Sequence, residues 1–335
     1  MQEPPLDPPA AVRESCAWVA SQASSVAIHA PSLAAFAAEL LGAASPPPPP
    51  FAEWHYTDDV PAGGELTARY CLALDALNFC FWPSPAPLEY DALALGLRAR
   101  LRTDARALDA GALAAVTEAS LAEGWTAPPL PNAPARAASL AELGRGLQQH
   151  YGGSALALVR AAASSAPALV RLLLLHFPCF NDVASYTSAS TGETRVVHFY
   201  KRAQICVGDL WAAFGGGGSV GGGGGGALPP ADFSDMHRLT AFADYRLPQL
   251  LRDRGVLTYA PALAAAVDAQ QELPAGGAWE VEIRAATVEA VERIRAAGST
   301  ALTSVELDWR LWNAGEELQK AGKLRPHHRT RSTFY

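Results

Sequence analysis

The sequence predicts a mainly α-helical protein, and three observations carry that expectation. Apolar residues recur at helical spacing along most of the 335-residue chain. Strand-like alternation is confined to one stretch near residues 183–200. Strands and helices nowhere alternate in the rhythm that builds a parallel sheet. Half of the residues are apolar, enough to bury a large core.

Residues 1–11 carry Glu3, Asp7 and four prolines and read as a disordered tail. That composition lacks the basic start and apolar run of a signal peptide. From residue 12 to 335 a single helical domain is expected. Its first helices are Arg13 to Ala20 and Pro31 to Leu41. Leu66 to Asn78 follows, with Tyr70, Leu74 and Leu77 on one face. Alanine-rich helices cover Ala92 to Leu101 and Ala110 to Glu123. Ser139 to His150 and Ser154 to Ala163 form a pair joined at Tyr151-Gly152-Gly153, and Pro167 starts a buried helix that ends at His176.

Val183 to Tyr186 and Arg195 to Tyr200, separated by Ser, Thr and Gly turn residues, predict a small β-hairpin. Helices resume at Arg202 to Phe214, Leu247 to Gly255, Ala260 to Gln270, Ala278 to Ala297 and Thr303 to Gln319. Two low-complexity tracts are expected as loops. The proline run 46–50 would be a stiff spacer. The glycine-rich 215–226 stretch resembles a phosphate loop only in composition: no Lys-Ser or Lys-Thr follows it and no clear strand precedes it.

Charge narrows the function. Lys and Arg total 26 against 33 Asp and Glu, a net charge of −7. A protein that grips a nucleic-acid polymer needs a basic stripe to release counterions, so a polymer-acting glycosylase is disfavoured. The five cysteines form no C-x-x-C pair, which argues against a zinc site or a disulfide framework. The most apolar stretch, 155–177, is interrupted by Arg160, Pro167 and Arg171 and is too broken to span a bilayer. A cytoplasmic protein acting on a small molecule, without metal or cofactor, is the expectation.

Several clusters mix polar and aromatic residues, the composition of a pocket that stacks a flat ring and reads its edge. They are Glu53 to Tyr56, Asp75 to Trp82, Phe199 to Gln204, Phe242 to Arg246, Glu306 to Asn313 and the terminal 326–335 segment. Asp308 stands out, because a carboxylate in an apolar helical run costs free energy unless it is paired or used. On a helix Asp308 and Trp309 lie about 100° apart and Trp309 and Asn313 are neighbours, while Leu307 and Leu311 occupy another arc. Trp82 and Trp312 read as core residues. Phe242 and Asp244, two apart, point the same way only where the chain is extended or turning, so a loop or helix start is expected there.

At these clusters the sequence resembles the queuosine salvage family, the queuosine 5′-phosphate N-glycosidases. The matching stretches are Val12 to Ser15, Leu74 to Trp82 (LDALNFCFW), Phe199 to Ile205 (FYKRAQI), Leu239 to Gln249 (LTAFADYRLPQ), Val281 to Arg284, Asp308 to Trp312 and the terminal HRTRSTFY. The resemblance implies a helical fold similar to the helical DNA glycosylases and a reaction that releases queuine from queuosine 5′-phosphate. It implies Asp308 as the catalytic carboxylate and His55, Phe242, Asp244, Trp309 and Asn313 as substrate-binding residues. Trp309 stands where the family usually has Tyr, and Asn313 where an acidic residue can occur.

Breaking a nucleoside C–N bond builds positive charge on the sugar, which a carboxylate at Asp308 would stabilise. The 7-deazaguanine base lacks N7, so protonation there is unavailable. Asp244 would accept from the donors on the guanine-like edge, and Phe242 or Trp309 would stack on the ring. For the 5′-phosphate, Lys201, His328, Arg329 and Arg331 are the candidates. The competing reading is a non-catalytic nucleoside-binding or helical scaffold protein, which would carry an exposed apolar stripe.

Overall fold

A computed structural model describes residues 3–42, 51–84, 88–122, 129–216, 230–298 and 302–335. The proline run 46–50, and all of the 215–226 tract except its first two residues, lie outside the described residues. Fourteen α-helices and two small antiparallel sheets make up the fold among the described residues. The expectation of a mainly helical protein holds.

Helix α1 spans Pro8–Gln22. The tail expected as disordered over residues 1–11 is thus helical from Pro8 on. Asp7 accepts the Ala10 N–H at 3.2 Å, and a proline in the first turn is preorganised for a helix start. Pro8, Pro9 and Val12 are buried. Strand β1 (Val26–Ile28) leads into α2 (Ala30–Leu41). Then come α3 (Glu65–Leu77) and α4 (Tyr90–Thr103). The single helix expected over 110–123 is two, α5 (Ala110–Ala114) and α6 (Glu118–Ala122). Thr117 and Ser120 break it by capping each other: Ser120 Oγ accepts the Thr117 N–H at 2.9 Å and Thr117 Oγ1 accepts the Ser120 N–H at 3.2 Å.

Helices α7 (Ala133–Tyr151), α8 (Ala155–Ala161) and α9 (Ala166–His176) precede the hairpin, β2 (Val183–Thr187) and β3 (Thr194–His198). Val183 pairs with His198 and Thr187 with Thr194. Helix α10 (Lys201–Ala213) follows, then α11 (Arg246–Asp253), β4 (Leu257–Tyr259), α12 (Pro261–Asp268), α13 (Ala278–Ala297) and α14 (Ser304–Lys320). β4 pairs with β1, Val26 opposite Tyr259. Three-residue strands so far apart in sequence carry no local pattern, and the sequence reading missed them.

Two hydrophobic clusters hold the molecule together. The larger packs α1, α3 and α7 to α10; the smaller packs α2 and α11 to α14. α13 and α14 feed both: Val281 and Val305 join the larger, while Ile283, Leu307 and Leu311 join the smaller. Beside the seam between the clusters, buried arginines that donate to backbone carbonyls brace α7 and α10 on α3. Arg136 donates to Leu77, Phe79, Cys80 and Pro131, and Arg202 donates to Asp75, Ala76 and Cys179. Both therefore neutralise the carbonyl-rich C-terminal end of α3. Arg284, between the rings of Phe199 and Tyr335, pairs with Asp182 at 2.6 Å and donates to the Ala243 carbonyl at 3.1 Å. Gln204 on α10 clamps Thr240, accepting its N–H at 2.9 Å and donating to its hydroxyl at 2.8 Å. The FYKRAQI and FADYRLPQ stretches are thus two halves of one scaffold.

Candidate active site

A cavity opens at this seam, with an empty volume of about 1120 Å³ counting its open mouth. One wall is α14. Asp308, Trp312 and Glu316 follow each other one turn apart, with Trp309 and Asn313 one residue further round, and all five line the cavity. Leu307 and Leu311 point away and are fully buried. The arcs expected from the sequence are the arcs observed. Trp312, expected in the core, instead meets Trp54 and Tyr90 edge to face at the cavity wall.

Asp308 is 4% exposed, and its Oδ2 accepts the Phe242 N–H at 2.7 Å. Burial pushes its carboxyl well above the usual carboxylate range, and Asp244 pushes the same way. The Phe242 N–H and Lys201 oppose the shift. Asp244 sits where the 239–244 loop turns into α11. Its Oδ1 accepts the N–H groups of Arg246 at 2.7 Å and Leu247 at 3.0 Å, tying down the helix start. Its Oδ2 has no hydrogen-bond partner among the described residues. Phe242 and Asp244 both face the cavity, as a loop or helix start requires.

The opposite wall is α10, where Lys201, Ile205, Asp209 and Ala212 present one helical face. Lys201 is 4% exposed and donates to the Asn78 carbonyl at 3.2 Å. Burial lowers the pKa of its ammonium, while Asp244, Asp75 and Asp308 raise it. Trp309 stacks nearly parallel on Trp211 with ring centres 6.2 Å apart. The Asn313 side-chain amide donates to the Trp309 carbonyl at 2.8 Å, which leaves Oδ1 as its acceptor.

His55 completes the rim, stacked on Phe51 with ring centres 3.9 Å apart. Burial lowers its pKa to about 3, so the ring is neutral at physiological pH. The Tyr70 hydroxyl donates to the Ala94 carbonyl at 3.0 Å and lies 3.1 Å from His55 Nδ1. This network assigns the proton to Nδ1 and leaves Nε2 as an acceptor.

The basic candidates do not converge. Lys201 lines the cavity; His328, Arg329 and Arg331 do not. His328 is buried against the Tyr335 hydroxyl, and burial lowers its pKa to about 3, so it carries no positive charge. Arg329 and Arg331 stack over Trp82, and Arg331 pairs with Glu272 at 3.0 Å. The tail delivers only its last residue, Tyr335, to the cavity, because the Cys80 N–H binds the Tyr335 carbonyl at 2.9 Å.

Comparison with known proteins places the chain in a family. The family profile described as queuosine salvage protein matches residues 55–335. The chain belongs to the queuosine salvage protein family. A relative from Sphaerobacter thermophilus, named queuosine 5′-phosphate N-glycosylase/hydrolase, is 40% identical over 330 aligned residues, covering 95% of each chain. One of the same name from Dictyostelium discoideum is 39% identical over 274, covering 81% of this chain and 79% of its own. One from Mus musculus is 31% identical over 359, covering 98% of this chain and all of its own.

This family member's site holds residues that sequence reasoning passed over: Tyr90, Asp209, Trp312 and Glu316. The signal was present for three of them. Asp209 lies eight residues after Lys201 on one helix face, and Trp312 and Glu316 lie four and eight after Asp308. Tyr90 enters from the first turn of α4, a position without any local mark of function.

Proposed function

We propose that this chain hydrolyses the N-glycosidic bond of queuosine 5′-phosphate, giving queuine and ribose 5-phosphate and so returning the base for tRNA modification. The observation that carries the reading is Asp308, a buried carboxyl held by the Phe242 N–H within a cavity that also presents Asp244, Trp309 and Lys201. The names of the relatives supply the substrate.

In this reading the base stacks against Phe242 and Trp309, and Asp244 Oδ2 accepts from its N1–H and exocyclic amine. His55 Nε2 and Asn313 Oδ1 add acceptors for the remaining donors. Lys201 supplies the positive charge for the 5′-phosphate. As the C–N bond stretches, the sugar becomes cationic, and the ionised Asp308 stabilises it at short range from its buried position in the wall. Raising the Asp308 pKa by burial makes its carboxylate gain most when that cation forms. An exposed apolar stripe, the mark of a scaffold, is absent among the described residues: of the exposed large hydrophobics, Leu6 precedes α1, Leu95 lies on α4, and Val183 and Val196 lie on the β2–β3 hairpin.

The test is chromatographic detection of free queuine from queuosine 5′-phosphate with the wild type and Asp308→Ala. The wild type releases queuine, and the folded variant is slower by a factor on the order of 10²–10³ or more. A folded wild type that releases none contradicts the proposal.

A further inference from the structure

The proposed hydrolysis leaves the base with an N–H where it was bonded to C1′, so each turnover must deliver a proton to that nitrogen. Asp308 does not meet this need, because its carboxylate is committed to the sugar cation. A second carboxyl group lines the same cavity. Asp209 is 4% exposed on the α10 wall, and the Tyr90 hydroxyl donates to its Oδ2 at 3.3 Å. Behind it lies Asp75 on α3, wholly buried, with Oδ1 accepting from the Asn78 amide at 3.3 Å and Oδ2 without a hydrogen-bond partner among the described residues. An unpartnered carboxyl oxygen in a dry interior, beside a second carboxyl, is the arrangement that keeps a proton on the pair.

We propose that Asp209 is a second catalytic carboxyl group, the acid that protonates the departing base while Asp308 faces the sugar. The inference rests on the glycosidase reading above. The C1′–N bond breaks with its electron pair going to the base nitrogen, and the Asp209 proton goes to that nitrogen. Water adds to C1′ and gives up one proton, which returns to Asp209, so the protein ends the cycle with the protons it began with.

The surroundings favour the acid form. The charged groups that face Asp209 are Asp75 from α3, Asp308 from α14 and Lys201 one face-repeat earlier on α10. Two are acidic, and the single cation is also drawn on by Asp244 and Asp308. The remaining neighbours, Tyr70 and Cys71 on α3, Tyr90 on α4 and Cys206 on α10, are phenols and thiols whose pKa values burial raises, so they stay neutral. Burial and then Asp75 push Asp209 well above the usual carboxylate range, and burial takes Asp75 up to about 7. The Tyr90 hydroxyl and Lys201 act in the opposite direction. A buried carboxyl set beside a second one holds its proton more firmly than a free carboxyl, which suits it to general-acid work.

The experiment compares Asp209→Asn with the wild type of the full chain on two substrates. One is queuosine 5′-phosphate; the other is 4-nitrophenyl ribose 5-phosphate, whose leaving group departs without a proton. For Asp209→Asn on the queuosine nucleotide, kcat falls by about 10²–10⁴-fold, the usual contribution of a general acid, with KM nearly unchanged and the alkaline limb of the pH profile lost. On the nitrophenyl substrate the same variant stays within about tenfold of the wild type, a smaller loss than removal of a general acid causes when the leaving group needs its proton. Asp308→Ala is slow on both. Retained activity on the nitrophenyl substrate also shows that Asp209→Asn folds. Equal impairment on both substrates, or an unchanged rate on queuosine 5′-phosphate, overturns the proposal. A wild type that releases no queuine instead overturns the glycosidase reading itself.

Discussion

Helix α14 and the terminal 326–335 segment look alike as sequence, each mixing aromatic rings with charge, yet they end in opposite roles. In α14 the helix repeat sends Asp308, Trp309, Trp312, Asn313 and Glu316 into one cavity while Leu307 and Leu311 anchor the core. The tail has no such repeat. Its arginines turn outward onto Trp82, its His328 is buried and neutral, and only Tyr335 reaches the cavity. The contrast shows that charge type nominates a residue for a site, whereas a regular backbone decides whether its side chain arrives there.

Four substitutions sharpen or break this contrast. The largest effect among them belongs to Lys201. Lys201→Met removes the cavity's cation and raises KM for queuosine 5′-phosphate by about 10–100-fold, the equivalent of about 1.5–3 kcal/mol for a hydrogen bond to a charged group. The unphosphorylated nucleoside should lose much less. Steady-state kinetics on both substrates checks this, and equal losses would remove Lys201 from the phosphate.

Asp244→Asn has a signed effect on pH dependence. Asp244 raises the Asp308 pKa, so removing its charge lowers that pKa. Activity that needs ionised Asp308 falls as pH drops through the Asp308 pKa. The acid limb of kcat should therefore move to lower pH in Asp244→Asn, on top of weaker base binding. A limb that stays in place would show that another group sets it. The smallest effect belongs to the tail: Arg329→Ala and Arg331→Ala should each change KM by no more than about twofold, as expected for exposed charges worth about 0–1 kcal/mol. A tenfold rise in KM in either would bring the tail back to the phosphate.

The legibility of the molecule follows the same division. Long periodic helices such as α13 and α14 were readable to within a residue or two, because burial on one face imposes a repeat on the sequence. The start of α1 was not, since prolines that mark a tail also suit a first helical turn. The β1–β4 pair was invisible, being two short strands joined only by tertiary contact. Within the cavity, Asp308, Phe242 and Asp244 were legible through a carboxylate in an apolar run and a matching motif. Asp209 carried only its helix spacing from Lys201, a weak mark because an Asp in a helix ordinarily lies on a solvated face, and its burial depends on α3 and α4 closing over it. The buried arginines Arg136 and Arg202 escaped for a related reason: their partners are backbone carbonyls, which no sequence pattern shows.

The central claim is that Asp308 acts on the sugar cation more than on substrate binding. The most direct measurement sets single-turnover queuine release against substrate affinity for Asp308→Asn, with affinity taken from calorimetry. The account predicts a Kd within a few-fold of the wild type and a rate lower by a factor on the order of 10²–10³, because the carboxylate's gain is realised in the transition state. A rate near that of the wild type, or a loss of rate matched by an equal loss of affinity, would contradict it.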